Sequence, residues 1–293
     1  MNREAFRQRL AGGPLLLDGA MGTLLHAHGV SIDVGFDVVN VQNPALVAEI
    51  HRGYIDAGAD VIETNSFGAN RFKLAEHSLQ DDVVKVNEAA VNIARRVISG
   101  SFKPVLLAGS VGPLGARLAP LGRISVEQAR AAFAEQIGAL VHAQPQGVDL
   151  IILETMSDLK ELETAVAAAR SVAPDIPIIT QMTFTRDDRT LLGHTPDAIA
   201  RRLSQLDVDV IGVNCSGGPA QVLRLIAMIH ELAPNIPLSA APNAGWPEQL
   251  DGGRVLYPAT PAYFGEYARA FVQAGACVVG GCCGTTSAHI AAM

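Results

Sequence analysis

Short apolar runs alternate with amphipathic stretches along the whole of this sequence. Eight runs of strand length contain few polar residues, which is typical of strands that are buried on both faces of a parallel sheet. The runs occupy residues 15–20, 60–65, 104–111, 149–155, 177–184, 208–215, 237–243 and 277–283. Parallel strands need crossover connections, and the stretches between the runs carry apolar residues at helical spacing. The pattern therefore predicts eight units of strand and helix.

Seven of the intervening stretches predict helices, and several begin with a capping residue or a first-turn proline. The helical stretches are 44–58, 81–98, 125–143, 157–172, 195–206, 219–233 and 260–275. The candidate capping residues are Ser125, Ser157, Thr195 and Thr260. Because an open sheet would usually interrupt so regular a count, the sequence predicts an α/β fold, a (β/α)8 TIM barrel that forms a single domain over residues 1–293.

Two connections depart from this regular pattern. Residues 22–43 exceed the usual loop length of roughly two to six residues, and they lie on the face where barrel enzymes hold their active sites. We expect this segment to act as a lid and its His26 and His28 to be surface residues. After the eighth run only residues 286–293 remain for a helix, about two turns, so we expect the N-terminal module of a longer chain.

Composition narrows the class of protein. Hydrophobic residues make up 49% of the 293 residues and charged residues 17%, which excludes a disordered chain. No apolar run approaches about 18 residues and the first ten residues lack an apolar segment, so we predict no membrane span and no secretory signal. The net charge of −7, with lysine and arginine scattered, argues against a nucleic acid partner. These features predict a cytoplasmic enzyme.

Polar residues stand where the apolar runs end. In a barrel, catalytic groups come from the carboxyl ends of the strands and from the loops that follow them. At these positions the sequence has Asp18, Glu63, Thr64, Asn65, Glu154, Thr155, Asn214, Cys215, Asn243, Cys282 and Cys283. We expect these residues to converge on one mouth of the barrel.

Three of the four cysteines are predicted to meet there. Cys215 ends the sixth run, and Cys282 and Cys283 end the eighth, so their strands flank the seventh. Three thiolates without a fourth predict a tetrahedral zinc site with one position left for a substrate, which is the catalytic pattern. Cys277 begins the eighth run at the far end of the barrel, and we interpret it as a small buried apolar residue.

The adjacent cysteines raise a geometric objection, because neighbours on a regular strand point to opposite faces. Gly280, Gly281 and Gly284 flank the pair, and glycine permits a bulged or left-handed backbone that turns consecutive side chains the same way. Other interpretations stay open. The cysteines could pack as apolar residues or form a redox pair, although a vicinal disulfide is strained, and the segment GGCCGTT at 280–286 could cradle a phosphate.

Motifs spread over nearly the whole chain resemble those of the homocysteine S-methyltransferases. This family consists of zinc-dependent barrels and includes the first module of cobalamin-dependent methionine synthase. The matching segments are DGAMGT at 18–23, GADVIETNSFGAN at 58–70, AGSVGP at 108–113, LETMSDL at 153–159, VNCSGGP at 213–219, PNAG at 242–245 and GGCCGTT at 280–286. The separated cysteine motifs are highly specific in combination, whereas AGSVGP or PNAG alone would mean little.

The resemblance implies that Cys215, Cys282 and Cys283 bind Zn²⁺ and that homocysteine adds its sulfur as a further ligand before it is methylated to methionine. Glu154 resembles the substrate-binding glutamate of the family, which would receive the ammonium group. Asn243, in the PNAG segment, is a candidate oxygen ligand that closes the zinc shell before homocysteine binds.

Further substrate contacts are expected around the bound amino acid. Asp18 either assists Glu154 or holds the following loop in place. Backbone N–H groups are the candidates for binding the substrate carboxylate, and they belong to Ala20, Met21 and Gly22. Glu63 and Asn65 either contact homocysteine or orient neighbouring groups by hydrogen bonds.

The methyl donor is less constrained by the sequence. Members of the family use methylcobalamin on another module, S-methylmethionine, S-adenosylmethionine or betaine. The members that use betaine have a tyrosine after the glutamate and bind the quaternary ammonium group with aromatic side chains. This sequence has Thr155 after Glu154 and an aromatic content of only 5%, which disfavours betaine. Residues 242–247 and 252–271 resemble methionine synthases and bifunctional proteins that continue into a methylenetetrahydrofolate reductase module. We predict methylcobalamin or methyltetrahydrofolate acting through a partner module. The alternatives are a stand-alone enzyme that uses S-methylmethionine or S-adenosylmethionine and, more remotely, a zinc-free phosphate-binding barrel.

Overall fold

The computed structural model of the protein describes residues 1–249 and 255–293 and contains an eight-stranded parallel barrel. The strands in chain order are β1 (Leu15–Leu16), β2 (Val61–Glu63), β3 (Leu106–Val111), β4 (Leu150–Met156), β5 (Ile178–Met182), β6 (Val210–Cys215), β7 (Leu238–Pro242), β8 (Glu248–Gln249), β9 (Val255–Leu256) and β10 (Ala276–Val279). The barrel order is β1-β10-β7-β6-β5-β4-β3-β2, and a bridge between Leu17 and Val61 joins its two ends. The predicted (β/α)8 fold is confirmed, and β8 and β9 form a separate antiparallel pair.

Helices surround this barrel. They are α1 (Arg3–Ala11), α2 (Gly22–Ala27), α3 (Val39–Gln42), α4 (Pro44–Asp56), α5 (Arg71–Ala75), α6 (Val83–Ser99), α7 (Val126–Val141), α8 (Leu159–Val172), α9 (Pro196–Leu203), α10 (Pro219–Leu232), α11 (Pro261–Gln273) and α12 (Ser287–Ala292). Ser125, Thr195 and Thr260 cap their helices as predicted. The predicted cap Ser157 is wrong, because the Asp158 carboxylate accepts the first-turn N–H groups of α8. Within the described ranges, no helix is long and apolar enough to cross a membrane.

Two predicted strands end well before their apolar runs. In the run 15–20, β1 covers Leu15–Leu16 and a single bridge follows at Leu17, and the run 277–283 ends its pairing at Val279. Beyond these points the backbone of the two segments bonds across loops, as when the Gly281 N–H donates to the Asp18 carbonyl at 3.1 Å. The apolar and small residues at the ends of these two runs therefore indicate buried backbone. A buried segment need not be paired in a strand.

The barrel interior is apolar at its amino-terminal end. The buried side chains that fill it are those of Leu15, Leu17, Val61, Ala108, Leu150, Ile152, Ile179, Val210 and Val278, with Phe6 added from α1. A second and larger apolar cluster lies between the sheet and the helices. Because the lower barrel is filled, polar chemistry is confined to the carboxyl ends of the strands.

Candidate active site and metal centre

A cavity of about 460 Å³ opens at the carboxyl ends of the strands. Its lining contains every predicted site residue except Asn243. The predicted residues that line the cavity are Asp18, Ala20, Met21, Gly22, Glu63, Asn65, Glu154, Cys215, Cys282 and Cys283. The fold thus brings together side chains that are separated by more than two hundred positions in the sequence.

The three cysteine sulfurs form one cluster in this cavity. Cys215 Sγ lies 3.5 Å from Cys282 Sγ and 3.8 Å from Cys283 Sγ, and all three sulfurs lie within 4.8 Å of one another. A tetrahedral zinc ion with zinc–sulfur bonds of about 2.3 Å would hold its sulfurs about 3.8 Å apart. The observed spacing therefore suits three ligands of a single zinc ion.

At the end of β6, the consecutive residues Asn214 and Cys215 both line the cavity. Cys215 and Ser216 have φ angles of 52° and 53°, in the left-handed region that non-glycine residues seldom adopt. This turn lets Cys215 join the sulfur cluster while the preceding Asn214 donates to Glu154 at 2.9 Å. The sequence offered no sign of it, because left-handed backbone is expected at glycine.

One of the three glycines around the cysteine pair has the left-handed backbone that the sequence analysis considered. Only Gly284 has a positive φ, 79°. At Gly280 a Cβ atom would lie 2.5 Å from Leu17 Cβ, so this glycine allows two segments to approach closely. Cys282 and Cys283 lie beyond the end of β10, so the alternation of a regular strand does not apply to them.

The sulfurs influence each other's protonation. Hydrogen bonds donated by Cys215 and then Cys282 hold the pKa of the Cys283 thiol well below its usual value, although burial opposes this. The pKa of Cys282 is raised by its hydrogen bonds to the other two thiols and by burial. A divalent cation in their midst would favour three thiolates.

Three carboxyl groups line the cavity beside the cysteines. Burial, the largest cause in each case, raises the pKa of Asp18, Glu63 and Glu154, and the repulsion among the three adds to the effect at Asp18 and Glu63. Asp18 Oδ2 accepts the Glu63 backbone N–H at 2.9 Å, so Asp18 fixes the end of β2. Glu63 Oε2 is buried and has no hydrogen-bond partner among the described residues. A cationic ligand would complement the negative charge of these buried carboxyl groups.

Glu154 lies in a bulge of β4. Pairing with β5 shifts between Leu153 and Met156, and Thr155 has a φ of 56°. The bulge takes Glu154 out of the regular alternation. Ser110 Oγ then donates to Glu154 Oε1, and Asn214 Nδ2 donates to Oε2.

The segment after β1 offers backbone donors to the cavity. The Ala20 N–H already donates to Thr285 Oγ1 at 3.0 Å, and the Ala20 carbonyl accepts the Tyr54 hydroxyl at 2.6 Å. Met21 and Gly22, by contrast, open helix α2 without a side-chain cap. That N–H groups of this segment bind the substrate carboxylate stays a prediction.

The long segment after β1 is anchored as a wall of the cavity. Asn65 Nδ2 donates to the Phe36 carbonyl at 2.8 Å and to Asn40 Oδ1 at 3.1 Å, and Asp37 Oδ1 accepts the Gly68 N–H at 2.9 Å. The Asn65 amide thus orients neighbouring groups, and contact of Asn65 with homocysteine stays a prediction. That the segment moves as a lid stays a prediction.

Asn243 is held next to the cysteine cluster by its neighbours. Its backbone N–H donates to the Gly217 carbonyl at 3.1 Å, and its Nδ2 donates to the Ser216 carbonyl at 3.2 Å. In the described part of the chain its Oδ1 is buried without a partner. An oxygen in this state suits a candidate metal ligand.

The segment 280–286 is poorly suited to cradle a phosphate. Backbone N–H groups that a phosphate would need already donate to protein acceptors: Gly281 to Asp18 O, Cys282 to Pro242 O, Gly284 to Thr23 Oγ1 and Thr285 to Cys282 O. The phosphate-binding alternative therefore loses its structural basis.

Three neighbours of the predicted site residues are given no role by the sequence. Ser110 and Asn214 hold Glu154. Asn214 is expected at the mouth as a strand-end residue, whereas nothing is expected of Ser110, which stands in the AGSVGP motif. Tyr54 lies inside a helix, and nothing in its sequence position indicates a role at the site.

Of the minor predictions, His26 and His28 are exposed as expected, whereas Cys277 is half-buried rather than buried.

Comparison with known proteins agrees with this geometry. The family described as Homocysteine S-methyltransferase matches residues 15–293. Methionine synthase of Mycobacterium tuberculosis (strain ATCC 25618 / H37Rv) is 35% identical over 287 residues, which cover 93% of this chain and 24% of the relative. That of Mycobacterium leprae (strain TN) is 34% identical over 301 residues, covering 98% of this chain and 24% of the relative. The chain thus spans about a quarter of the length of these curated relatives.

A solved structure matches over almost the whole of both chains. The homocysteine methyltransferase MmuM from Escherichia coli, in its metallated form, superposes with a TM-score of 0.79 at 28% identity and covers 96% of this chain and 95% of its own. With the match of residues 15–293 to the family, these similarities show that the chain belongs to the homocysteine S-methyltransferase family.

Proposed function

We propose that this chain is a zinc-dependent methyltransferase that transfers a methyl group to the sulfur of homocysteine and forms methionine. One observation carries the proposal: three cysteine sulfurs within 4.8 Å of one another share a cavity with the carboxyl group of Glu154. The sulfur cluster suits the thiol end of the substrate, and the carboxyl group suits its ammonium end.

The donor set fits zinc. Cys215, Cys282 and Cys283 would hold the ion, and the unpartnered Oδ1 of Asn243 is the candidate fourth ligand before substrate arrives. When bound, zinc supplies positive charge that favours the thiolate form of its sulfur ligands at neutral pH, where a free thiol is mostly protonated.

The protein's own residues bind and orient the amino acid. Glu154 and Glu63 accept the substrate ammonium, which offsets the burial of their negative charge. Asp18 keeps Glu63 in place through its backbone N–H. The N–H groups of Met21 and Gly22 receive the substrate carboxylate. In the reaction the substrate thiol releases its proton to water, and an electron pair of its sulfur forms the bond to the methyl carbon while the pair of the carbon–donor bond leaves with the donor.

Two kinds of methyl donor have support. The chain matches about a quarter of each mycobacterial methionine synthase, which favours methylcobalamin or methyltetrahydrofolate presented by a partner module. The near-complete match to MmuM favours a stand-alone enzyme that uses S-methylmethionine or S-adenosylmethionine. Incubating the chain alone with homocysteine and S-methylmethionine separates them, since methionine formed at a steady rate indicates the stand-alone enzyme.

The first experiment counts zinc in protein purified under reducing conditions. We expect close to one zinc per chain, and Cys215→Ala should lose both zinc and methionine formation while the barrel remains folded. Cys277→Ala is the matched control, because its half-buried thiol donates to the Leu238 carbonyl at 3.5 Å, away from the cavity. An unsubstituted protein that takes up no zinc after reconstitution, or an active zinc-free Cys215→Ala variant, contradicts the proposal.

A further inference from the structure

We infer that Asn214 couples the two ends of the substrate site, because its single amide group contacts both the Glu154 carboxyl group and the Cys282 sulfur. Asn214 would act as a positioning residue for both. The inference rests on the proposed function, since it concerns how the site holds the ammonium and the sulfur of homocysteine at a fixed separation.

The orientation of the Asn214 amide follows from its hydrogen bonds. Its Oδ1 accepts the Thr155 backbone N–H at 2.8 Å. A backbone N–H can only donate, so the oxygen must face Thr155 and the NH₂ group must face the other way. Thr155 has a positive φ of 56°, and this conformation presents its N–H to β6. The bulge in β4 and the orientation of the Asn214 side-chain amide on β6 therefore depend on each other.

The NH₂ group of Asn214 then contacts both functional clusters. Nδ2 lies 2.9 Å from Glu154 Oε2, 2.9 Å from Thr155 Oγ1 and 3.8 Å from Cys282 Sγ. The NH₂ group has two hydrogens to donate to these three neighbours. Donors to ligand atoms orient them and change their affinity for the metal, and donors to a carboxylate stabilise its charge.

Asn214 has little freedom to move. It is 1% exposed, and its backbone pairs with Ala241 of β7 near the carboxyl end of the barrel wall. The distance between Glu154 and the cysteine cluster is therefore set by one short and rigid side chain. Homocysteine has a fixed number of bonds between nitrogen and sulfur, so this distance decides whether both ends bind at once.

Two variants test the inference on zinc-loaded protein. Asn214→Ala should weaken homocysteine binding, measured by calorimetry, about ten-fold and accelerate zinc loss to a chelator about ten-fold, the scale seen when partners of metal ligands are removed. Asn214→Asp keeps the size and Oδ1 but removes both N–H donors. It should be at least as impaired as Asn214→Ala, which separates the loss of donors from the loss of volume.

A double-variant comparison distinguishes coupling from general damage. If Asn214 acts on the ammonium through Glu154, then Asn214→Ala should change homocysteine affinity less than three-fold in a Glu154→Gln background, while zinc loss stays fast. Asn87→Ala is the matched control, since Asn87 is a fully buried amide that donates to Ala69 O and Val83 O outside the cavity. It should lower the melting temperature without altering either readout.

A folded Asn214→Asp protein with normal zinc retention and normal homocysteine affinity overturns the inference. Additive effects of Asn214→Ala and Glu154→Gln on homocysteine affinity also overturn it, because they assign Asn214 a role independent of Glu154. Failure of the proposed function is recognised separately. In that case the unsubstituted protein itself neither retains zinc nor binds homocysteine, and the inference about Asn214 fails as well.

Discussion

Glu154 shows how one carboxyl group is held ready for a charged partner. Burial raises its pKa, while hydrogen bonds from Ser110 and from Glu63 lower it, so the charged form is stabilised only in part. Its two oxygens are oriented by donors on β3 and β6. An ammonium group that enters the cavity supplies the remaining stabilisation, and binding strength should depend on the negative charge of Glu154.

Glu154→Gln tests this dependence. We expect homocysteine affinity, measured by calorimetry on zinc-loaded protein, to fall by about 1–3 kcal/mol because a hydrogen bond between charged groups is lost. The zinc content should stay the same. Glu161→Gln is a suitable control, since Glu161 is another buried carboxyl group, accepts the Leu114 N–H at 2.8 Å and lies outside the cavity lining. Unchanged affinity in Glu154→Gln removes this residue from the substrate site.

At the scale of elements, the hydrophobic pattern predicts where strands and helices lie but not how strands end. The run 208–215 corresponds to β6 within two residues, because a strand buried on both faces must be apolar throughout. That same uniformity hides the β4 bulge at Glu154 and Thr155, since a strand without alternation shows no change of phase.

The candidate site was predictable to a similar extent. The three cysteines could be assigned to one mouth from strand order alone, because neighbouring barrel strands end together. The left-handed turn at Cys215 could not be predicted, since the chain tolerates it through tertiary contacts rather than through glycine. The roles of Ala20 and Asn65 depended on partners that only the fold brings near.

The segment after β10 is shaped by close packing at Gly284. Its φ is 79°, and a Cβ atom there would lie 2.1 Å from Cγ of Tyr257. The Tyr257 side chain also forms a hydrogen bond that lowers the pKa of Cys283. Any side chain at position 284 must therefore displace the tyrosine or the cysteine beside it.

Gly284→Ala should reduce zinc retention at least ten-fold in a chelator competition while the barrel remains folded by circular dichroism. Gly193→Ala is the control that separates backbone strain from steric collision. Gly193 has a similar φ of 86°, but no described atom lies within 4 Å of the position that a Cβ atom would take. That control should lose about 1–2 kcal/mol of stability from the left-handed backbone and keep its zinc. Equal zinc retention in the two variants rules out the collision at Gly284.

Helix α4 carries a buried histidine that makes the fold sensitive to acid. His51 is fully buried, and neither ring nitrogen has a hydrogen-bond partner in the described ranges. Burial lowers its pKa from 6.5 to about 4. The unfolded chain therefore binds this proton more readily than the folded chain between these two pH values, and stability falls as the pH drops through them.

Denaturant unfolding at pH 7.5 and pH 5 measures this effect. From His51 alone, the free energy of unfolding should fall by about 2 kcal/mol between these pH values, and His51→Met should lack that part of the loss. His26→Gln is the control, because it removes a histidine from an exposed position and leaves His51 in place. Identical pH dependence in His51→Met and the unsubstituted protein contradicts the assignment.

On the scale of the whole molecule, the barrel separates stability from chemistry at its two ends. Helix α1 covers the amino-terminal end, where Phe6 enters the apolar interior. Arg3 and Arg170 both pair with the fully buried Asp209 carboxylate, which also accepts the Ile178 N–H at 3.0 Å. The cavity with its cysteines lies at the opposite end. A defect at one end should therefore leave the other end intact as long as the protein is folded.

Phe6→Ala tests this separation. Removing a fully buried phenylalanine should lower the free energy of unfolding by about 3–5 kcal/mol, because the cavity it leaves cannot fully collapse. Phe102→Ala is the matched control, since Phe102 is fully exposed and its loss should be nearly neutral. Both variants should retain the zinc content and homocysteine affinity of the unsubstituted protein at temperatures where circular dichroism shows a folded barrel. Loss of zinc from folded Phe6→Ala protein would mean that packing at the closed end sets the geometry of the cysteine cluster, so that the two ends are not independent.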